Sequence, residues 1–139
     1  MDDHVESGNI YVAFQVKNSM FAVPMNDTLY IAAGSQNTIY TILPNTPDHI
    51  KCIVELGGQL VTVVDIPGTD GDIPIMGNYI VILLHSGWNI GILATEVHLV
   101  RTMANSIFTD KITGEKFIDH NGKKYLILDI SRLYKELDI

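Results

Sequence analysis

The stretch IKCIVELGGQLVTVVDI, residues 50–66, decides the fold class. Two runs rich in Val, Ile and Leu, residues 50–56 and 59–66, flank the pair Gly57-Gly58. β-Branched residues favour strands, and glycines supply the positive φ angles that a two-residue hairpin turn requires. This stretch therefore predicts a β-hairpin.

The pattern recurs at residues 116–130, KFIDHNGKKYLILDI, where Asn121-Gly122 takes the place of the paired glycines. In both copies six residues separate the second turn residue, a glycine, from an Asp-Ile pair. Asn-Gly is also a strong signal for a tight hairpin turn. This internal repeat predicts two equivalent hairpins. The pattern alone leaves open that the similarity is a coincidence in a β-rich chain.

A second, weaker echo relates two further segments that fold back on themselves. Residues 14–24 reverse at Asn18-Ser19, and residues 82–94 reverse at Ser86-Gly87. The chain thus reads as two similar pairs of hairpins and belongs to the all-β class. Small antiparallel sheets hide their edges by closing into barrels, so we expect two small β-barrels packed on each other.

One helix is predicted after Asp129. Ile130, Leu133, Tyr134 and Leu137 recur at the spacing of one helical face, and Asp129 or Ser131 can cap the start. We expect the apolar stripe of this helix to seal a barrel mouth, with docking of the helix on a partner as the alternative. Residues 66–77, rich in Gly and Pro, predict the connector between the halves, and residues 105–115 predict a second loop.

Composition excludes several functional classes. The net charge is −7, and no Lys or Arg lies between Lys51 and Arg101, so nucleic acid is not an expected partner. Cys52 is the single cysteine, which excludes an internal disulfide and fits the cytoplasm. Residues 73–95 are uncharged but broken by polar residues and Pro74, so two buried strands explain them better than membrane insertion. The acidic residues 1–8 have no apolar core of a signal peptide, and we expect them to be flexible.

The search for chemistry finds no convincing reaction centre. Asp65 and Asp129 end equivalent strands, as the paired carboxylates of aspartic proteases do, but no glycine follows either one. A hydrolase that uses these two residues is therefore a remote alternative. The histidines lack metal-binding spacing, and the acidic residues 69–72 do not match a calcium loop. We expect a binding protein with no cofactor, no metal and no catalytic residue.

Several segments in order resemble the CheW-like family of bacterial chemotaxis adaptors over nearly the whole chain. Residues 10–24 match the family's opening hairpin, residues 43–50 match its Leu-Pro segment, and residues 52–66 match the motif that ends in Asp-Leu. Residues 91–97 match its Gly-Leu-Leu-Val-Asp-x-Val stretch, and residues 125–133 match its closing strand and helix. Each motif alone is weak evidence for the family, since it consists of hydrophobic residues around a glycine. The five together, in the right order, are specific.

The resemblance implies a single domain over residues 1–139, made of two interlocked five-stranded SH3-like β-barrels with a short C-terminal helix. It implies a non-enzymatic, cytoplasmic adaptor that joins the regulatory domain of a CheA-type histidine kinase to the cytoplasmic tip of a methyl-accepting chemoreceptor. The receptor would lie against a hydrophobic groove between the barrels. The predicted partner-binding residues are Leu29, Tyr30, Ile31, Leu56, Gly57, Gly58 and Gln59.

The chain also departs from the family pattern. The Arg of the family's Arg-Gly turn is Gly57 here, and the family Pro near the end of the same motif is Thr62. The Asp of the family's Val-Asp pair is Thr95. An alternative is therefore a divergent accessory module that binds kinase or receptor, but not both.

Overall fold

The fold is described from a computed structural model, over residues 9–45, 47–69, 74–103 and 106–138. Residues 1–8, which we expected to be flexible, and the acidic loop around Asp70 lie outside the described residues. The strands are β1 (Asn9–Val16), β2 (Ser19–Pro24), β3 (Thr28–Ala33), β4 (Ile39–Thr41), β5 (Ile50–Leu56), β6 (Gln59–Val64), β7 (Tyr79–His85), β8 (Trp88–Ala94), β9 (Glu96–Thr102), β10 (Ile107–Thr109), β11 (Lys116–His120) and β12 (Lys123–Ile127). A short 3-10 helix (Met25–Asp27) joins β2 to β3, and helix α1 (Ile130–Glu136) follows β12.

The strands form two sheets that share one topology. The flanking sheet has the order β10-β11-β12-β2-β1-β9, and the central sheet has the order β4-β5-β6-β8-β7-β3. In each sheet a parallel contact joins two antiparallel hairpins: β12 pairs with β2, and β6 pairs with β8. The hairpins β5–β6 and β11–β12 therefore occupy equivalent places, as do β7–β8 and β1–β2. Both predicted pairs of similar hairpins are confirmed. The predicted connector at residues 66–77 is not a link between two halves, because it lies between β6 and β7, which belong to the same sheet.

The all-β class and the closing helix are confirmed, with differences in detail. Each sheet has six strands, because a three-residue edge strand, β4 or β10, is added to the five longer strands. β10 lies inside residues 105–115, which we expected to be a loop. The turn predicted at Asn18-Ser19 is wrong by one residue, because Val16 pairs with Ser19 and leaves Lys17 and Asn18 in the turn.

The larger core lies within the central sheet and between the two sheets. It combines central-sheet residues such as Val61 and Ile80 with Val12 and Phe14 of the flanking sheet. A smaller core, which includes Tyr125, lies within the flanking sheet. Strands β7 and β8 of the central sheet are buried on both faces. Their sequences are therefore nearly continuous apolar runs, without the alternation of a half-exposed strand.

Helix α1 forms where it was predicted, and its apolar stripe packs into the larger core. Asp129 caps it, because its carboxylate accepts a hydrogen bond from the backbone N–H of Arg132 at 3.2 Å. The four stripe residues of the helix are all buried: Ile130, Leu133, Tyr134 and Leu137. Each such side chain contributes roughly 1.5–3 kcal/mol by leaving water. The helix therefore helps to hold the two sheets together.

The apolar stretch at residues 73–95 contains the hairpin β7–β8, as expected from its polar interruptions. The turn Ser86-Gly87 is confirmed, with φ angles of 51° and 82°. Among the residues that the structure describes, no helix has the length and apolar character needed to cross a membrane.

Candidate interaction surface

The predicted hairpin turn is open and accessible. Gly57 and Gly58 have φ angles of 57° and 82°, and a Cβ atom built on either would meet no atom within 4 Å. Gln59 is exposed, whereas Leu56 is half-buried and packs against the larger core. Three of these four predicted residues therefore stand at a free tip, and the side chain of Leu56 supports the tip from below.

The turn tolerates a side chain at the position of Gly57. The equivalent residues of the other three hairpin turns are Lys17, Ser86 and Asn121, with φ angles of 56°, 51° and 54°. All three adopt the left-handed conformation at the modest cost of roughly 1–2 kcal/mol that an L-residue incurs there. The absence of the family Arg is therefore not imposed by the geometry of the turn.

The other predicted segment lies on edge strand β3, and its residues point in different directions. The side chain of Tyr30 packs against the core, opposite Ile82, so only part of it is accessible. Leu29 is 43% exposed and Ile31 is 38% exposed, and the pairing register shifts between Thr28 and Tyr30. Leu29 and Ile31, rather than Tyr30, can meet a partner.

The two predicted groups do not form one continuous patch within the sheet. β3 and β6 are separated by β7 and β8 in the strand order. Three strand spacings correspond to about 14 Å along the sheet. The edge strand and the hairpin turn are therefore two separate contact surfaces on the central sheet.

The structure adds an exposed apolar pair that the sequence prediction missed. Leu60 is 68% exposed and Trp88 is 63% exposed. Parallel pairing of β6 and β8 begins at Thr62 and Ile90, so Leu60 and Trp88 lie two residues before it on neighbouring strands. We call these two residues, with the neighbouring Glu55, the Leu60–Trp88 patch; Glu55 pairs with Leu60.

The patch lies on the face of the sheet opposite to Val61 and Val63. Val61 and Val63 face inward, because a Cβ atom on Gly91 would lie 3.2 Å and 3.5 Å from their side chains. Strand alternation then places Leu60 and Trp88 on the opposite face, which also carries the buried Ile90 and Ile92, so the patch is the exposed turn end of that face. The alternation around Val61 and Val63 could have placed Leu60 outside, and the position of Trp88 directly after a turn was a signal for an exposed aromatic residue.

Helix α1 borders this patch through one tyrosine. The hydroxyl of Tyr134 lies 2.7 Å from the carbonyl oxygen of Trp88, to which it donates, and 3.2 Å from that of Leu83. The ring of Tyr134 contacts the ring of His85 with a centroid distance of 5.1 Å. Burial raises the pKa of Tyr134 to about 12, and the nearby charge of Asp27 adds to the effect.

The two strand-ending carboxylates have structural partners. Asp65 forms an ion pair with Lys51 at 3.3 Å, and Asp129 caps helix α1. Asp65 lines a half-open cavity of about 910 Å³ beside β4 and β5, whereas Asp129 lines a different groove of about 500 Å³ along α1. This separation favours structural roles over the shared proton of the hydrolase alternative.

Cys52 and the other potential ligands also have ordinary environments. Cys52 is buried, and this burial raises the pKa of its thiol, although Lys51 opposes the effect. A higher pKa makes the thiolate scarcer and the thiol less reactive. Within the described ranges, no group of three or more His, Cys, Asp or Glu side chains is placed to hold a metal ion.

Comparison with known proteins gives one family and one fold. A family model described as the CheW-like domain matches residues 11–138. The chain is also similar to the scaffolding protein TtCheW from Thermoanaerobacter tengcongensis, with 20% sequence identity and a TM-score of 0.70. That match covers 86% of this chain and 88% of the other. The comparison with curated protein sequences gives no match.

Proposed function

The chain belongs to the CheW-like domain family, and from this premise we propose that it is a non-enzymatic chemotaxis adaptor. In this proposal it acts in the cytoplasm and couples the regulatory domain of a CheA-type histidine kinase to the cytoplasmic tip of a methyl-accepting chemoreceptor. The match to residues 11–138 spans nearly all of the chain, so the proposal concerns the fold as a whole rather than one motif.

The observation that carries the proposal is the exposed apolar surface outside a well-filled core. Large apolar side chains on a soluble surface, with polar groups around them, mark contact sites for other proteins. Trp88 and Leu60 provide such a centre, and Glu55 provides part of its rim. Aromatic side chains that become buried when the partner binds contribute much of the binding energy of protein interfaces.

In this proposal the two partners contact different parts of the central sheet. The similarly folded barrel of the kinase would contact the Leu60–Trp88 patch, at the turn end of β6 and β8. Ile31 pairs with Val81, a residue of the larger core that the two sheets share. The receptor's helical hairpin would contact Leu29 and Ile31, the exposed apolar residues of edge strand β3. The predicted site residues stay predictions, with Tyr30 assigned a supporting role.

The direct test is to measure both associations in solution. The purified chain is titrated with the kinase regulatory domain and with a receptor tip fragment in separate calorimetric experiments. Adaptor affinities of tens of micromolar correspond to about −6 kcal/mol, which sets the concentrations required. Binding to both partners is the expected result, and no association with either partner at these concentrations, with titrations repeated at a second temperature, would refute the proposal.

A second candidate is an accessory adaptor that binds only one partner, and Gly57 is the observation that favours it. Gly57→Arg restores the family side chain at a turn position where three equivalent turns already carry one. If the missing Arg explains a lost partner, this variant gains affinity for that partner. Asn121→Arg in the equivalent turn is the matched control, and equal effects of both variants would show that the gain is a general charge effect.

A further inference from the structure

We infer that the turn residue Asn121 is a site of spontaneous covalent modification, at which the neighbouring His120 assists conversion of the amide to aspartate or isoaspartate. This chemistry is separate from the proposed coupling function. Three features of the β11–β12 turn support it: an exposed Asn-Gly pair, a turn backbone outside the strand ladder, and an imidazole in contact with the amide.

The turn leaves the reacting backbone accessible. The last paired residues of the two strands are His120 and Lys123, so Asn121 and Gly122 lie outside the ladder. Both turn residues are exposed. Gly122 has no side chain to hinder the approach of its backbone nitrogen to the amide of Asn121, and an added Cβ there would meet no atom within 4 Å. The nucleophile and the amide therefore belong to adjacent residues that no strand pairing holds apart.

The backbone of Asn121 is not held firmly in its turn conformation. Its φ angle is 54°, in the left-handed region. This region is less favourable for an L-residue by roughly 1–2 kcal/mol. Ring closure requires rotation about the Cα–C bond of Asn121, and since the residue is exposed, this rotation displaces no buried side chain. The turn can therefore reach the reactive geometry with little loss of packing.

His120 provides what the departing nitrogen needs. Nε2 of His120 lies 3.3 Å from Nδ2 of Asn121. Nδ2 leaves as ammonia and must gain a proton, and a positioned imidazole is a common general acid for such a step. When Nε2 carries a proton, it can deliver that proton directly to the leaving group. His120 therefore contacts the bond that breaks.

The reaction needs only water. The backbone nitrogen of Gly122 loses its proton to solvent and forms a bond to Cγ of Asn121. The bond from Cγ to Nδ2 breaks, ammonia leaves with the proton from His120, and the imidazole regains a proton from water. Water then opens the cyclic imide at either carbonyl carbon, which gives aspartate or isoaspartate. In sum, an amide and water become a carboxylic acid and ammonia, with no oxidation or reduction.

The products change the hairpin in different ways. Both carry a negative charge where the amide was neutral, and isoaspartate also lengthens the backbone of the turn by one carbon atom. Turn geometry fixes the register of a hairpin. Here this register pairs Ile118 with Tyr125, two buried residues of the smaller core. Isoaspartate should therefore loosen the flanking sheet, whereas aspartate should not.

The experiment follows the native full chain over time at neutral pH, below its melting temperature. Peptide mapping by mass spectrometry measures the converted fraction of Asn121, and a protease that cuts before aspartate but not before isoaspartate separates the products. The variants are His120→Ala and His120→Gln; glutamine can hydrogen-bond but cannot deliver a proton. His98→Ala is the matched control, because it removes an exposed histidine of the same sheet. Asn18 is the internal control, since it lies in the equivalent turn but is followed by Ser19.

We expect Asn121 to convert in the native wild type while Asn18 stays unchanged. General acids contribute roughly 10²–10⁴-fold, and because 3.3 Å is a long contact, both His120 variants should slow the conversion at least about tenfold. His98→Ala should react at the wild-type rate. In guanidinium chloride the contact is lost, so His120→Ala and the wild type should react equally fast. Protein enriched in isoaspartate should melt at a lower temperature than fresh protein, and Asn121→Asp should not.

The contrary results are distinct. An absence of conversion in the native protein overturns the modification site. A wild-type rate in native His120→Gln overturns proton delivery, and equal slowing of His120→Ala in native and denatured chains overturns the role of the folded turn. An unchanged melting temperature of the isoaspartate form overturns the predicted loosening. Should His120→Ala fail to fold in thermal melts, His120→Gln carries the same comparison.

Discussion

Gly34 offers a stability prediction that can be worked out from the structure. A Cβ atom on Gly34 would lie 1.8 Å from the carbonyl oxygen of Ile75, which is a backbone atom and cannot rotate away. Ordinary contacts of this type are at least about 3.2 Å, so the two segments must separate by roughly 1.4 Å. Gly34→Ala is therefore expected to pull apart the segment after β3 and the segment before β7.

The cost follows from the interactions lost in that separation. Gly34 N donates to Asn78 O at 2.7 Å, and Gly77 N donates to Gly34 O at 3.2 Å. Two backbone hydrogen bonds contribute about 1 kcal/mol each. Partial exposure of the buried Ile75 adds roughly 1–2 kcal/mol. The expected loss in the free energy of unfolding is about 3–4 kcal/mol.

Urea unfolding followed by tryptophan fluorescence measures this loss, and a lower midpoint with an unchanged slope shows that stability alone has changed. The matched control is Gly77→Ala in the same segment, where an added Cβ meets open space but φ is 86°. Backbone strain alone should cost it roughly 1–2 kcal/mol. If Gly34→Ala is no more destabilising than Gly77→Ala, the close-contact argument is wrong.

Three further perturbations follow from the site and the core. The double variant Leu60→Ser, Trp88→Ala should weaken kinase binding at least about tenfold in calorimetry, since interface anchors are worth about 2 kcal/mol or more. Its melting temperature should equal that of the wild type because both side chains are exposed, and a lowered melting temperature would contradict their surface role. Asp129→Ala should cost about 1 kcal/mol in urea unfolding through loss of the helix cap, and Asp129→Asn should restore most of it. Because the pKa of Tyr134 is raised from 10.0 to about 12, the stability that its neutral hydroxyl contributes is complete below pH 10 and is lost as the pH rises to 12. The free energy of unfolding of the wild type should therefore fall more in this pH window than that of Tyr134→Phe, and parallel pH profiles would count against a buried hydroxyl.

The hairpins were predictable because their signals are local. Asn121-Gly122 and Gly57-Gly58 report turn geometry directly, and Asp129 with the stripe after it reports a helix start. The short strands β4 and β10 were not predictable, because three residues carry too little pattern and depend on the neighbour they pair with. Their formation is a tertiary effect.

The surface was harder to predict because strands buried on both faces lack a clear alternation. Ile90 and Ile92 are as buried as the inward-facing Val61 and Val63, so hydropathy does not mark the outer face. Trp88 lies on that same face directly after the turn Ser86-Gly87 and is 63% exposed, so only the packed structure shows where burial of the face ends. Tyr30 was assigned to a contact surface for the converse reason, because its apolar neighbours conceal that it points into the core.

The order of strands has a consequence for synthesis on the ribosome. β3 to β8 are contiguous in the chain and complete the central sheet, whereas β1 must wait for β9, and Asn9 finally pairs with Thr102. During translation the central sheet can assemble while β1–β2 remains an unpaired hairpin at its side. A nascent chain halted just after β8 emerges would therefore leave both outer edges of the β1–β2 hairpin unpaired, because β9 and β12 are synthesised later.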